Sequence, residues 1–188
     1  MGKNKKSKIV YKDSELDSKE ELEFIYWLNE CKDAGLIENY IYQPEEYLLF
    51  DKIVVVKRVK KGKKEIDKDV TLLSAHIYSP DFSIKFTEKF NELYLKNDWN
   101  KFFKFFNVNE QFICDIKGSF SRNGGDRSFS INQKWVYQKY GIYINKIVPV
   151  DLFKTTWVPE LARFTPKKKQ IVEKYKNLKL LNEILKGC

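Results

Sequence analysis

"YSPDFSIKF", residues 78–86, and "FICDIKGSF", residues 112–120, decide the fold. Both are rich in aromatic and β-branched residues and read as strands. Each sets a carboxylate where a buried strand takes an apolar residue: Asp81 after a proline, and Asp115 two residues before Lys117. Side chains alternate between the faces of a strand, so Asp115 and Lys117 point the same way and Ile116 points into the opposite packing layer. If the two strands pair, Asp81 and Asp115 converge.

Two converging carboxylates beside a lysine fit a divalent-cation site. Mg²⁺ is a hard ion that prefers oxygen, and proteins usually hold it with one or two carboxylates, waters and substrate phosphates. Such a cation polarises a phosphate and activates water. Lys117 would orient the nucleophile or offset charge developing in the transition state, and Gly118 would let a substrate approach the backbone closely. The same residues also allow a plainer reading, in which Asp115 and Lys117 pair on an exposed strand and Pro80-Asp81 is a turn at a strand start.

Working outward, residues 1–12 read as a loose basic arm, 13–160 as one domain, and 161–188 as a basic helical tail. "DSKEELEFIYWLNECKDAGLIENY" (17–40) carries an apolar stripe at Leu22, Ile25, Leu28 and Cys31, near helical spacing. Asp17 or Ser18 can cap this helix, with Glu20 or Glu21 three residues on, and Gly35 ends it. "YLLFDKIVVVKRV" (47–59) reads as a strand, "KKGKKEIDKD" (60–69) as a charged turn, and "LLSAHIYSPDFSIKF" (72–86) as the returning strand. Residues 87–110 form an insertion whose aromatic run "FNELYLKNDWNKFFKFF" reads as helical packing rather than a base-stacking platform. "SFSRNGGDRS" (119–128) is a glycine-rich loop, "FSINQKWVYQKYG" (129–141) a second helix, "IYINKIVPV" (142–150) a last strand, and "KKKQIVEKYKNLKLLNEILK" (167–186) a tail helix. The order predicts a mixed α/β domain, with a mixed central sheet flanked by helices.

Hydrophobic residues make up 43% of the 188 positions and aromatics 15%, enough for a core and unlike a disordered chain. The net charge of +9 suits a polyanionic partner. Cys31, Cys114 and Cys188 show no pairing pattern and read as reduced thiols of a cytosolic protein. The single histidine, His76, argues against His-based metal sites and reads as a core residue. No apolar run reaches the roughly 18 residues that span a membrane.

In combination these motifs resemble the PD-(D/E)xK nuclease superfamily, which has the restriction-endonuclease-like fold. The resemblance is closest to small phage-type nucleases. It is carried by "SKEE" at 18–21, "YQPEEYLLF" at 42–50, "SPDF" at 79–82, "DIKG" at 115–118 and "QKWVYQKYGIYI" at 133–144. It covers roughly residues 15–150. It implies that Asp81 and Asp115 ligate Mg²⁺, for which Mn²⁺ can substitute, that Lys117 is the catalytic lysine, and that Glu21 is the acid from the helix that completes the site. Ser18-x-x-Glu21 is equally a capping box, and Glu20 competes for the same role. Asp115 stands where many relatives carry Glu, which shortens the reach by one methylene. Gln133 and Tyr137 match a Gln-x-x-x-Tyr spacing of some exonuclease branches, and share one helix face.

The implied activity is hydrolysis of DNA phosphodiesters by an endonuclease selective for branched structures, such as four-way (Holliday) junctions. In that case the chain would work in a phage-infected host's cytoplasm and would pair as a homodimer to make two symmetric cuts. An exonuclease, a sequence-specific endonuclease or a non-catalytic DNA-binding module are the alternatives. Phosphate contacts are expected from Arg122 and Arg127 in the glycine-rich loop, from Lys134, and from the basic run of Lys57, Arg58, Lys60, Lys61, Lys63 and Lys64.

Overall fold

The computed structural model describes residues 9–11, 14–62, 64–118, 125–165 and 169–186. Arg122 and Lys63 lie outside the described residues, as do Cys188 and most of the basic arm. The chain opens with β1 (Ile9–Tyr11) and β2 (Ser14–Leu16), an antiparallel pair. The arm expected at the N-terminus is therefore partly built into the fold, because Ile9, Tyr11 and Leu16 carry apolar surface to the core.

Helix α1 (Lys19–Asp33) begins where Ser18 Oγ accepts the Glu21 N–H at 3.1 Å. It ends in a Schellman motif: Gly35 N–H donates to Lys32 O at 3.0 Å and Leu36 N–H to Cys31 O at 2.7 Å. Gly35 takes a φ of +69°, which a side chain would strain, so the helix stops where the glycine suggested. Then come β3 (Ile37–Tyr42), β4 (Tyr47–Phe50), β5 (Ile53–Lys61), β6 (Lys64–Leu73), β7 (His76–Tyr78) and β8 (Phe82–Phe86). The remainder is α2 (Glu88–Asn97), a 3-10 turn at Trp99–Lys101, β9 (Phe112–Ile116), α3 (Gly125–Tyr140), β10 (Ile144–Ile147), α4 (Pro149–Thr155), α5 (Glu160–Arg163) and α6 (Leu181–Lys186).

The central sheet has the order β10-β9-β8-β3, with β9 and β10 parallel and the other neighbours antiparallel. It is thus a mixed sheet flanked by helices. Phe82, Ile84, Phe86, Phe112, Cys114 and Ile116 face α1, where Trp27 stacks on Trp157 at 4.9 Å and on Phe24 at 5.7 Å. On the opposite face, Ile113 and Ile144 pack with Phe129 and Val136 of α3 and with Tyr47 and Tyr78. The aromatics of residues 87–110 join the first cluster as packing, with Phe90 4.0 Å from Phe86.

Three readings of the sequence need correction. The two long strands expected at 47–59 and 72–86 are each divided, and "KKGKKEIDKD" is no turn but mostly strand β6. Only Gly62, with φ +67°, is seen turning among the described residues. The result is a long antiparallel ribbon, β5–β6, rooted on the β4–β7 pair. Charged side chains misled the reading because in an exposed ribbon they do not oppose strand structure. His76 is exposed at the ribbon root, edge-on to Trp135 at 5.5 Å, and not in the core. The C-terminal stretch is not one long helix. Tyr175, fully buried, donates its hydroxyl to the buried Glu23 carboxylate at 2.5 Å, which draws the chain onto the core as a 3-10 turn at Glu173–Tyr175.

Candidate active site

β8 and β9 pair through Phe82↔Cys114, Ser83↔Ile113 and Ile84↔Phe112. One more step of that register sets Asp81 opposite Asp115, on the α3 face, because directly opposed residues share a face. The Asp81 carboxylate continues the ladder that its own strand has ended, with Oδ2 accepting the Ile116 N–H at 2.5 Å. The Asp81 carbonyl accepts the Gln43 N–H at 2.8 Å, which fixes the same residue to the end of β3.

Asp115 is 3% exposed, and Lys117 Nζ makes an ion pair with its Oδ2. The Lys117 backbone N–H donates to Ile147 O at 2.9 Å, so the lysine is held by the edge of β10. Its ammonium also lies 5.8 Å from the centre of the Phe129 ring. Ile116, between the two, packs on the α1 side.

The electrostatics follow from setting a half-buried acid beside a buried one. Burial first, and the Asp115 charge second, push the Asp81 carboxyl up from 3.8 to about 8, with Glu21 adding to the rise while the Ile116 N–H and Lys117 oppose it. Tyr78, a buried tyrosine at the end of β7, has its hydroxyl raised well above the usual range by burial and then by Asp115 and Asp81. Apart from the Lys117 ion pair, Asp115 Oδ2 has no hydrogen-bond partner among the described residues, and neither does the Tyr78 hydroxyl.

Glu21, 4% exposed, accepts from Ser18 Oγ at 2.8 Å, from the Asp17 N–H at 3.1 Å and from the Tyr42 hydroxyl at 2.9 Å. It is therefore a capping residue and, through its charge, a neighbour of Asp81. Glu20 is also near: its Oε1 lies 3.5 Å from where a Cβ on Gly118 would be, an ordinary contact distance. Both acids thus border the site, and neither motif alone could have said so.

The remaining expectations are placed as follows. Arg127, expected in the glycine-rich loop, is instead in the first turn of α3, which starts four residues earlier than the sequence suggested; it and Lys134 are exposed there. Gln133 Nε2 donates to Ile144 O at 2.5 Å, latching α3 to β10, while Tyr137 is exposed and edge-on to Tyr143 at 6.5 Å. Lys60 and Lys61 sit on the ribbon β5–β6. Tyr42 and Tyr78 were missed. Their only sequence signal is a tyrosine at the end of a strand next to a motif, and their roles depend on register.

Among the described residues, no three His, Cys, Asp or Glu side chains close around one point. The pair Asp81–Asp115 nonetheless has the donor set of a hard cation, with one buried carboxylate oxygen met there only by an ammonium. Two carboxylates suffice for Mg²⁺ when waters and phosphates complete the shell. No helix among the described residues is long and apolar enough to cross a membrane. No protein-family model, curated protein or solved structure matches this chain.

Proposed function

We propose that this protein is a Mg²⁺-dependent DNA endonuclease of the PD-(D/E)xK type, built on a restriction-endonuclease-like core and acting on branched DNA. The observation that carries the reading is the approach of half-buried Asp81, just before β8, to buried Asp115 on the neighbouring strand β9, with Lys117 in contact with Asp115. Burying two like charges side by side costs stability unless a counter-charge joins them. Lys117 supplies that counter-charge to Asp115, and a bound cation would supply the further one that lets Asp81 ionise beside it.

Asp81 and Asp115 would hold the ion, with Mn²⁺ able to replace Mg²⁺, and Glu21 or Glu20 would complete the negative field from α1. The ion would supply a Lewis acid for the scissile phosphate and its attacking water. Lys117 would give its ammonium to the phosphate oxygens as charge builds, a contact worth more in the transition state than in the ground state. Gly118, which lacks a side chain, would leave the backbone open to the substrate. Two symmetric cuts in a junction would require a homodimer.

The test is to incubate the protein with linear, nicked, single-stranded and four-way-junction DNA in Mg²⁺, Mn²⁺ or EDTA. Cleavage of the junction in Mg²⁺ and Mn²⁺ but not in EDTA is expected. Binding without cleavage of any substrate would replace the reading with a non-catalytic DNA-binding protein.

A further inference from the structure

The ribbon β5–β6 has two chemically different faces, and the register assigns every residue to one of them. From Val54 to Lys61 the pairing is regular. Directly opposed residues share a face, and the face changes at each step. One face therefore carries, in rows, Val55–Val70, Lys57–Lys68, Val59–Ile66 and Lys61–Lys64. The other carries Val54–Thr71, Val56–Asp69, Arg58–Asp67 and Lys60–Glu65.

The first face holds four lysines and no acid, and the second two basic residues against three acids. On the second face the charges neutralise one another, as in the ion pair between Arg58 Nε and Asp67 Oδ1 at 3.3 Å. On the first, lysine stands opposite lysine twice. Like charges set directly across a ladder destabilise it. All four of these lysines are exposed. The sequence shows only a basic run. The register shows that half of that run is compensated and half is not.

We propose that the Lys57–Lys61–Lys64–Lys68 face of the ribbon is a docking surface for double-stranded nucleic acid, the polyanion on which the proposed nuclease activity also rests. Charge complementarity selects this occupant over a second copy of the chain, whose lysine face would repel it. The spacing agrees. The two lysine rows are four residues apart along β5, about 13 Å at roughly 3.3 Å per residue. That is close to the width of the B-form major groove, about 12 Å, which admits a two-stranded ribbon. Each lysine row meets one of the two phosphate backbones that border the groove, and the Val59–Ile66 row between them faces the base edges. The root of the ribbon is fixed to the catalytic domain. Lys139 Nζ and the Tyr140 hydroxyl both donate to Leu48 O, at 2.7 and 2.8 Å, and Tyr78 continues the same ribbon to within three residues of Asp81. A duplex held by the arm is thereby tethered beside the carboxylates.

The experiment compares two double variants that remove equal charge: Lys57→Gln with Lys68→Gln, and Arg58→Gln with Lys60→Gln. Full-length protein is titrated against a short fluorescent duplex in EDTA over a range of salt, and cleavage of the same DNA is followed separately in Mg²⁺. The first variant is expected to bind roughly tenfold more weakly and to lower the slope of log affinity against log salt by about two, near one unit for each phosphate no longer neutralised. The second is expected to stay within about twofold of the parent, because Arg58 and Lys60, expected from the sequence as phosphate contacts, stand opposite Asp67 and Glu65 and on this proposal no longer serve as such. Melting of the first variant at or above the parent's temperature shows that the ribbon still folds. Equal weakening in both variants would reduce the effect to net charge and overturn the face assignment. Unchanged binding by the lysine variant would overturn the docking surface while Mg²⁺-dependent cleavage leaves the nuclease reading intact. A change in the variant's mass in solution with unchanged DNA affinity would assign the face to self-association instead. A parent protein that neither binds nor cuts would end both proposals.

Discussion

The central sheet and the ribbon β5–β6 use the same device in opposite surroundings. In the sheet, the β8–β9 register carried one step further sets half-buried Asp81 against buried Asp115. In the ribbon, register sets Lys57 against Lys68 and Lys61 against Lys64 in water. Between these acids the repulsion is poorly screened, and it helps push Asp81 up to about 8. Between exposed lysines, salt and solvent screen most of it. The acids therefore call for a compact counter-ion in direct contact, and the lysines for a polyanion spread over a surface. A single nucleic-acid complex containing a divalent cation meets both demands.

The strongest way to break the comparison is to remove the acids. Asp81→Asn or Asp115→Asn should reduce DNA cleavage by at least roughly 10²–10³, the scale of deleting a principal electrostatic interaction in an active site. Gel assays at saturating DNA check this. Duplex affinity without Mg²⁺ should hold or improve, because a negative charge facing the phosphates is gone.

Next in size is the ribbon's side of the comparison. Four phosphate contacts give a slope near four on the log-log plot, so duplex affinity should fall by roughly a hundredfold between about 50 and 200 mM salt. A flat titration would mean that the lysine rows never meet phosphate.

A pH series sharpens the sheet's side. The folded protein keeps the Asp81 proton up to about 8, whereas an ordinary aspartate releases it near 3.8. Between those limits the folded state binds more protons than the unfolded one. Metal-free stability should therefore fall as pH rises through this window and level off above it. Mg²⁺ needs the ionised carboxylate, so the melting-temperature gain on adding Mg²⁺ should grow over the same range. Asp81→Asn should flatten both trends in a thermal-shift experiment.

The smallest effect is at the helix cap. Ser18→Ala should cost about 1 kcal/mol of stability by denaturant titration, through loss of the bond to the Glu21 N–H. Because Ser18 Oγ also donates to Glu21 Oε1, the variant tells whether the hold on Glu21 matters to cleavage or only to folding.

What the sequence disclosed, and what it hid, divides along the same line. Alternation along "CDIKG" was enough to set Asp115 and Lys117 on one face with Ile116 on the other, because strand geometry is local. The mixed α/β order and the cap at Ser18 were legible for the same reason. The ribbon was not. Residues 60–69 look like a loop by charge, and only pairing with 53–61 makes them a strand. Register brings Tyr42 to a hydrogen bond with Glu21 and Tyr78 into the field of Asp115, which no single stretch encodes. Tyr175 enters the core because the buried Glu23 accepts its hydroxyl, a contact made across 152 positions of chain.

The most direct test of the central claim uses Lys117→Ala, which leaves Asp81, Asp115 and the ribbon untouched. Junction cleavage in Mg²⁺ is measured beside duplex binding and the Mg²⁺-induced rise in melting temperature, for parent and variant. If Lys117 acts mainly in the transition state, as proposed, cleavage should fall by roughly 10²–10³ while binding and the Mg²⁺ response persist. Near-normal cleavage by a well-folded Lys117→Ala protein would contradict the assignment of this site to DNA hydrolysis.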